Sequence, residues 1–297
     1  MYHQPALVEE SIKGLNVQPG GIYVDATYGG GGHARRIIEK IENCALIAFD
    51  QDQESTKNKM DDSRLIFINH NFRYMKNFLK YLGYNQVDGI LADLGVSSHH
   101  LDSPERGFSF RFDAPLDMRM NLNAQRSASY IINTYSAREL NEVFRNYGEI
   151  RKTRFLVDAI LEKRKEQEIT TTSELLNALK DYIPLKYRNK FLAKVFQALR
   201  IEVNREVENL KYFLKQSHEI LRIGGRLAVI SYHSVEDRVV KNYMKSGRFS
   251  GEPVKDFYGN VMTPFALVNR RVIVPSAEEI RNNNRARSAR LRIAEKL

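Results

Sequence analysis

Three carboxylates and one carboxamide stand at or near the ends of short apolar runs. Asp25 closes the run in GIYVDAT, Asp50 that in CALIAFD, Asn71 follows RLIFINH, and Asp93 lies in VDGILADL. Directly behind the first comes the glycine run of TYGGGGHARR, Gly29 to Gly32. Glycines at such a point let a ligand approach the backbone closely, and neighbouring acids favour a ligand that carries positive charge.

Two cofactor chemistries compete for this turn, with a ligand-free flexible turn as a third reading. Gly29, Gly31 and Ala34 satisfy the dinucleotide pattern G-x-G-x-x-A, and Asp50 follows at a distance suited to a ribose hydroxyl pair. A nucleoside triphosphate is poorly matched, because no Lys followed by Ser or Thr ends the run. Asp25 argues against a pyrophosphate. At ~8 Å and an effective dielectric of ~20 the two anions repel by about 2 kcal/mol per unit charge, and a cation gains as much. S-adenosyl-L-methionine carries a sulfonium, an ammonium and a ribose, and no phosphate. In that reading Asp50 accepts from the ribose hydroxyls through charge-assisted bonds, Phe72 stacks near the adenine, and His33 is a candidate through its adjacency to the turn.

The elements that must position these residues are legible from periodicity. Residues 21 to 94 alternate short strands rich in β-branched or aromatic residues with helical segments, the pattern of a parallel sheet with crossover helices. Such sheets bind ligands beyond the carboxyl ends of their strands, where the four residues above stand. Ser136 with Glu139 and Thr171 with Glu174 read as capping boxes, so residues from about 128 to 200 form a helical insertion. RLAVIS then resumes the sheet, and MTPFALVN with RRVIVP supplies a closing pair of strands. The fold class is α/β, a Rossmann-like sheet interrupted by an all-helical domain. We place the sheet domain at 1–112 and 205–297 and the insertion, with a role in substrate recognition, at 113–204.

Three further stretches carry candidate residues. In FSFRFDAPLDMRM, Phe108, Phe110 and Arg111 alternate aromatic and basic character, as in a groove that stacks bases and tracks phosphates; a loop folded on its own apolar cluster explains them equally well. SYHSVEDR places Tyr232 and His233 at the end of a strand, although Ser234 with Asp237 also reads as a plain helix start. In FQALRIEVNREVENL, Gln197, Arg200, Asn204 and Glu208 share one helical face. The last 28 residues hold eight Lys or Arg against three Glu, a net of +5 and half of the chain's formal +10. Arg285, Arg287 and Arg290 are thus candidates for phosphate contact.

The 297 residues have the composition of an ordinary globular protein, and the positive balance points to nucleic acid. One cysteine, Cys44, excludes an internal disulfide and a cysteine-cluster metal site, and no other metal-ligand constellation stands out. The first residues lack a basic-then-apolar leader and no long apolar run follows, so the expectation is a cytoplasmic protein with no membrane partner.

The segments DATYGGGGHAR, DGILADLGVSSHHLDSPERGFSFRFDAPLDMRM, FQALRIEVNRE, GGRLAVISYHSVEDRVVK and RARSARLR together resemble the MraW family of ribosomal RNA methyltransferases, from His3 to Arg292. The resemblance implies a methyltransferase domain with a helical insertion, S-adenosyl-L-methionine as donor, and methylation of the exocyclic N4 of a cytosine in the decoding centre of 16S rRNA. The partner is then 16S rRNA or the small ribosomal subunit; a homodimer is compatible with the sequence. Carried over residue by residue, the cofactor contacts are Gly31, Gly32, His33, Asp50, Phe72, Asp93 and His100. His100 stands where the family pattern has glutamine, which makes that contact sensitive to pH. Many amino-methyltransferases carry Asp-Pro-Pro-Tyr after the fourth strand; here the chain reads Asp93, Leu94, Gly95, Val96. Asp93 is therefore expected to act as acceptor, with base stacking supplied by Phe108, Phe110 or Tyr232, and His233 as a further catalytic candidate.

Overall fold

The computed structural model describes residues 5–43, 45–96, 103–183, 185–259 and 261–297. The chain forms two compact units, Met1–Gly95 with Val207–Leu297, and Val96–Glu206.

The first unit is built on a seven-stranded sheet in the order β3-β2-β1-β4-β5-β9-β8. Strands β1 (Tyr23–Asp25), β2 (Leu46–Phe49), β3 (Leu65–Ile68), β4 (Val87–Asp93) and β5 (Leu221–Ser231) are mutually parallel. A two-residue pair, β6 (Val254–Lys255) and β7 (Val261–Met262), stands apart from them. β8 (Phe265–Leu267) and β9 (Arg290–Lys296) pair antiparallel, and β9 also runs antiparallel to β5. Alternation sorts the strand side chains between two cores. Val24, Ile47, Phe49 and Ile90 face one way, toward Met75, Leu79, Phe213, Leu214 and Val240. Tyr23, Leu46, Ala48 and Leu91 face the other, toward Ile12, Leu15, Ala34 and Ile37. This is an α/β, Rossmann-like fold. Strand order reverses between β1 and β4, the point at which such sheets open a crevice.

The closing strands differ from expectation. RRVIVP contributes only a single bridge, Ile273 to Leu291. The partner of β8 is instead the basic segment RLRIAEK, whose Leu291, Ile293 and Ala294 are buried. High local charge hid a short alternating strand whose arginines lie on one face.

The second unit is helical, with helices Ala128–Thr134, Ala137–Asn146, Arg154–Glu166, Thr172–Leu179 and Arg188–Asn204 around one apolar core. Both anticipated capping boxes are formed, at Ser136 with Glu139 and at Thr171 with Glu174. The unit begins at Val96, well before the expected boundary at 113. The reason is that the preceding loop folds onto the helices: Phe108, Leu116, Met118 and Met120 are part of their core. The Arg106 guanidinium donates to the carbonyls of Arg119 (2.7 Å) and Met120 (3.2 Å). Asn204 closes the loop by donating to Met118 O at 2.8 Å and accepting from Met120 N at 2.7 Å. No helix among the described residues is long and apolar enough to cross a membrane.

Candidate active site

The carboxyl ends of β1, β2 and β4 bring Asp25, Asp50 and Asp93 together around the glycine turn. Register makes this unavoidable, since Asp25 pairs with Ala48 on one side and with Leu91 on the other. Thr27 stitches the ends: its amide donates to Asp25 Oδ1 at 3.1 Å and its hydroxyl accepts from Asp93 N at 2.6 Å.

Asp25 is 1% exposed, and its Oδ2 has no hydrogen-bond partner among the described residues. Burial pushes its carboxyl up to about 7, against the opposing bond from Thr27 and with help from the charge of Asp50. Asp93 is likewise pushed up to about 7, by burial first; the Tyr232 bond opposes the rise, and the charges of Asp25 and Glu236 add to it. A buried acid with an orphaned oxygen is costly, and it is the kind of group that a cationic ligand relieves.

The turn is closed around this point. Gly29 N donates to Asp50 Oδ2 at 2.8 Å, and Asp52 N donates to Asp50 Oδ1 at 2.9 Å. Asp52 caps the short helical turn Gln53–Asn58, accepting from Glu54 N. A carboxylate oxygen can accept from more than one donor. Gly31 caps the helix Gly32–Ile38 with φ +74°, and a Cβ there would lie 2.7 Å from the Tyr28 hydroxyl. A Cβ on Gly32 would lie 2.5 Å from Pro5 Cγ. His33 is buried, with Nε2 3.1 Å from Ala6 O and Nδ1 3.9 Å from Asp93 Oδ2. The Ala6 carbonyl can only accept, so Nε2 carries a proton.

Tyr232, the residue after β5, donates its hydroxyl to Asp93 Oδ1 at 2.8 Å. Burial and the adjacent Asp93 push its phenol far above the ordinary value, so it stays a donor. His233 is the N-cap of the helix Ser234–Ser246, its Nδ1 accepting from Glu236 N at 3.3 Å, and its Nε2 lies 3.2 Å from Glu236 Oε1. The expected Ser234 and Asp237 box is not formed, because Asp237 is taken by β9: Arg292 Nε donates to it at 2.7 Å and Arg290 Nη1 at 3.2 Å.

Other sequence-derived candidates have local partners of their own. Phe72 sits just past β3, edge-on to Phe213 with centroids 5.3 Å apart. Asn71 caps the following turn, accepting from Arg73 N. His100 falls outside the described residues. Phe108 is 6% exposed inside the helical core, and Phe110, half-buried, packs edge-on against Phe196. Arg111 is exposed. Arg290 is a strand residue bonded to Asp237 and not part of a loose tail, while Arg285 and Arg287 are exposed on the short helix Asn284–Ser288. The face of Gln197, Arg200 and Asn204 serves the helical unit: Gln197 donates to Tyr147 O, Arg200 binds Glu206 through two nitrogens, and Asn204 holds the loop. Sequence reasoning missed Thr27 and Glu236. Thr27 follows the strand-end acid by two residues, a position from which a hydroxyl reaches the neighbouring strand; the burial of Glu236 left no signal in VEDR.

The acids, the orphaned oxygen and the two glycines fit a compact cation with a ribose better than a phosphate-bearing ligand. Comparison with known proteins agrees in class. The ribosomal RNA small subunit methyltransferase H of Phocaeicola vulgatus is 53% identical over 297 residues, covering 100% of this chain and 98% of that protein. The same-named protein of Flavobacterium johnsoniae is also 53% identical with the same coverage. That of Bacteroides thetaiotaomicron is 53% identical over 296 residues, 99% of this chain and 97% of that protein. The family model described as MraW methylase matches residues 1–297, and the chain belongs to that family.

Proposed function

We propose that this methyltransferase moves a methyl group from S-adenosyl-L-methionine to the exocyclic N4 of a cytosine in the decoding centre of 16S rRNA. Methylation of small-subunit rRNA is the activity named for its relatives. The cytosine N4 reading adds the requirement of a proton acceptor beside the reacting amine. The observation that supports it is the pair of buried Asp25 and half-buried Asp93, both pushed up to about 7 at the strand ends, with Oδ2 of Asp25 lacking a hydrogen-bond partner among the described residues.

When bound, S-adenosyl-L-methionine supplies an electrophilic methyl on a sulfonium. The chain's residues do the rest. Gly31 and Gly32 give the backbone room, Asp50 offers acceptors for a ribose, Asp25 offers an unpaired acceptor for an ammonium, and Phe72 lies where an adenine would meet an apolar edge. The cytosine amine has its lone pair delocalised into the ring, so it needs an acceptor for the N–H that acidifies as the new N–C bond forms. Asp93, oriented by the Tyr232 hydroxyl and facing His33 Nδ1, is that acceptor. The base must reach it unpaired or flipped from its helix.

The test is methyl transfer to purified small subunits lacking the modification, with mass spectrometry of the RNA. The expected product is N4-methylcytosine, and Asp93→Asn lowers the rate at saturating substrate by at least about 100-fold. Methylation of a different atom, or full activity in Asp93→Asn, overturns the reading.

A further inference from the structure

One face of the first unit is basic and aromatic in a way the cofactor site does not require. It covers the segments 72–81, 207–220 and 234–249, on the side of the sheet that buries Met75, Phe213 and Val240. The guanidinium of Arg73 lies between two exposed rings, 5.2 Å from the centroid of Tyr74 and 4.7 Å from that of Tyr212. On the same helix as Tyr212, the ammonium groups of Lys211 and Lys215 lie 5.7 and 5.8 Å from the ring of Phe249, which stacks on Tyr243 at 4.9 Å. Toward the amino ends of the strands, Lys76 and Lys80 line a cavity of about 470 Å³ with His218 and Lys296.

Two carboxylates interrupt this strip. Glu208 is 3.9 Å from Arg73, and Glu219 is bonded to Lys76. Exposed pairs of this kind are worth at most about 1 kcal/mol and exchange readily for a phosphate. Lys80, Lys211 and Lys215 have no ion-pair partner among the described residues.

We propose that this face is an RNA-docking surface, in which the lysines track the phosphates of the strand beside the target and the Tyr74 and Tyr212 rings, kept apart by Arg73, take unpaired bases. The inference rests on the rRNA reading above and deepens it by assigning a surface to the substrate. Unpartnered cations interleaved with exposed rings are what a single-stranded nucleic acid requires, since every base offers a stacking face and every phosphate a charge. The upper end of the strip follows directly on Phe72, next to the carboxyl ends of the strands, so RNA held there continues toward the reacting base.

The experiment uses the full chain in two variants, Lys80→Glu with Lys211→Glu and Lys215→Glu, and Tyr74→Ala with Tyr212→Ala. Binding to a fluorescein-labelled decoding-region RNA and to purified small subunits is measured against KCl concentration, with S-adenosylhomocysteine titration and thermal unfolding as checks on the site and the fold. Charge reversal should weaken RNA binding at least about tenfold and lower the salt slope by about two. The tyrosine variant should lose affinity with an unchanged slope. Both should keep S-adenosylhomocysteine affinity and maximal methyl transfer, with KM for subunits raised. Affinity and slope equal to the unaltered chain in both variants overturn the proposal, whether the face then proves idle or binds an acidic protein. A wild-type chain that binds RNA in this way but makes no N4-methylcytosine sinks the earlier reading and leaves this surface standing.

Discussion

The Tyr232 hydroxyl donates to Asp93 Oδ1 at 2.8 Å, tying the residue after β5 to the last residue of β4. The bond stabilises the carboxylate against a burial that holds it near 7. If Asp93 accepts the proton, methyl transfer rises with pH through about 7 and levels off above it, where the acid is ionised. Tyr232→Phe removes the stabilising bond, so the midpoint moves to higher pH while the plateau falls less than in Asp93→Asn. A rate profile from pH 5.5 to 9 on both proteins checks this, and an unmoved midpoint in Tyr232→Phe rejects the coupling.

Asp25 makes an opposite demand on stability and binding. Its folded value lies above its unfolded value, so the folded state holds the proton more tightly, and the penalty for the buried charge grows as pH rises from about 4 through about 7. Asp25→Asn keeps an oxygen for the Thr27 amide and removes that penalty. The variant should be more stable than the parent at pH 8 by about 4 kcal/mol and little changed at pH 4. It should bind S-adenosyl-L-methionine at least about tenfold more weakly. Denaturant melts at the two pH values, with calorimetric titration, decide it; a variant destabilised at pH 8 contradicts the assignment.

Binding a cation beside two half-protonated acids should expel protons. Near pH 6.5, association of S-adenosyl-L-methionine lowers the values of Asp25 and Asp93, so its affinity increases with pH up to about 7. Calorimetry in buffers of different ionisation enthalpy should record proton release, larger for the sulfonium than for S-adenosylhomocysteine. Equal proton release for both ligands removes the sulfonium from the argument.

The glycine turn offers a graded comparison. Gly29 and Gly31 both have positive φ, at +53° and +74°. A Cβ on Gly29 meets nothing nearer than the Thr27 carbonyl oxygen at 4.0 Å, whereas one on Gly31 meets the Tyr28 hydroxyl at 2.7 Å. That hydroxyl is itself held between Asn58 O and Met60 N. Gly29→Ala should therefore cost about 1 kcal/mol from backbone conformation alone, and Gly31→Ala about 2 to 3 kcal/mol. Thermal melts without cofactor measure the difference.

The Asp237 cluster predicts that β9 is structural. Arg292→Ala leaves a carboxylate that is 6% exposed with only the partly exposed Arg290 as cation, and should cost about 2 to 3 kcal/mol. Arg287→Ala, on an exposed position, should leave the melt within about 0.5 kcal/mol. Equal melts for the two variants would return the whole segment to the role of a loose basic tail.

Where sequence sufficed, a local pattern coincided with a tertiary one. The strand-end acids, the glycine turn and both capping boxes are written in consecutive residues, so Asp25, Asp50 and Asp93 were legible before any coordinates. Asp50 and Asp52 show the limit: two acids two residues apart divide the tasks of turn closure and helix capping, and only the Gly29 amide decides between them. FSFRF is ambiguous because an alternating aromatic loop looks the same whether its rings face a ligand or, as Phe108 does, a core contributed by helices that reach to Val203. In RLRIAEK the density of charge masks the alternation of a strand. His233 was recognised as a residue of interest, yet its use as a cap depends on Asp237 being drawn away by arginines more than 50 positions distant.

Strand β9 lies inside the sheet, between β5 and β8, although every other strand precedes it in the chain. During synthesis the helical unit, one unbroken stretch, can assemble as soon as it emerges, while the catalytic half must wait with an open edge on β5 for residues 290–296. An aborted translation product therefore lacks not a peripheral tail but the seam of its sheet, and truncated copies should be cleared as unfolded chains instead of persisting as half-active enzyme.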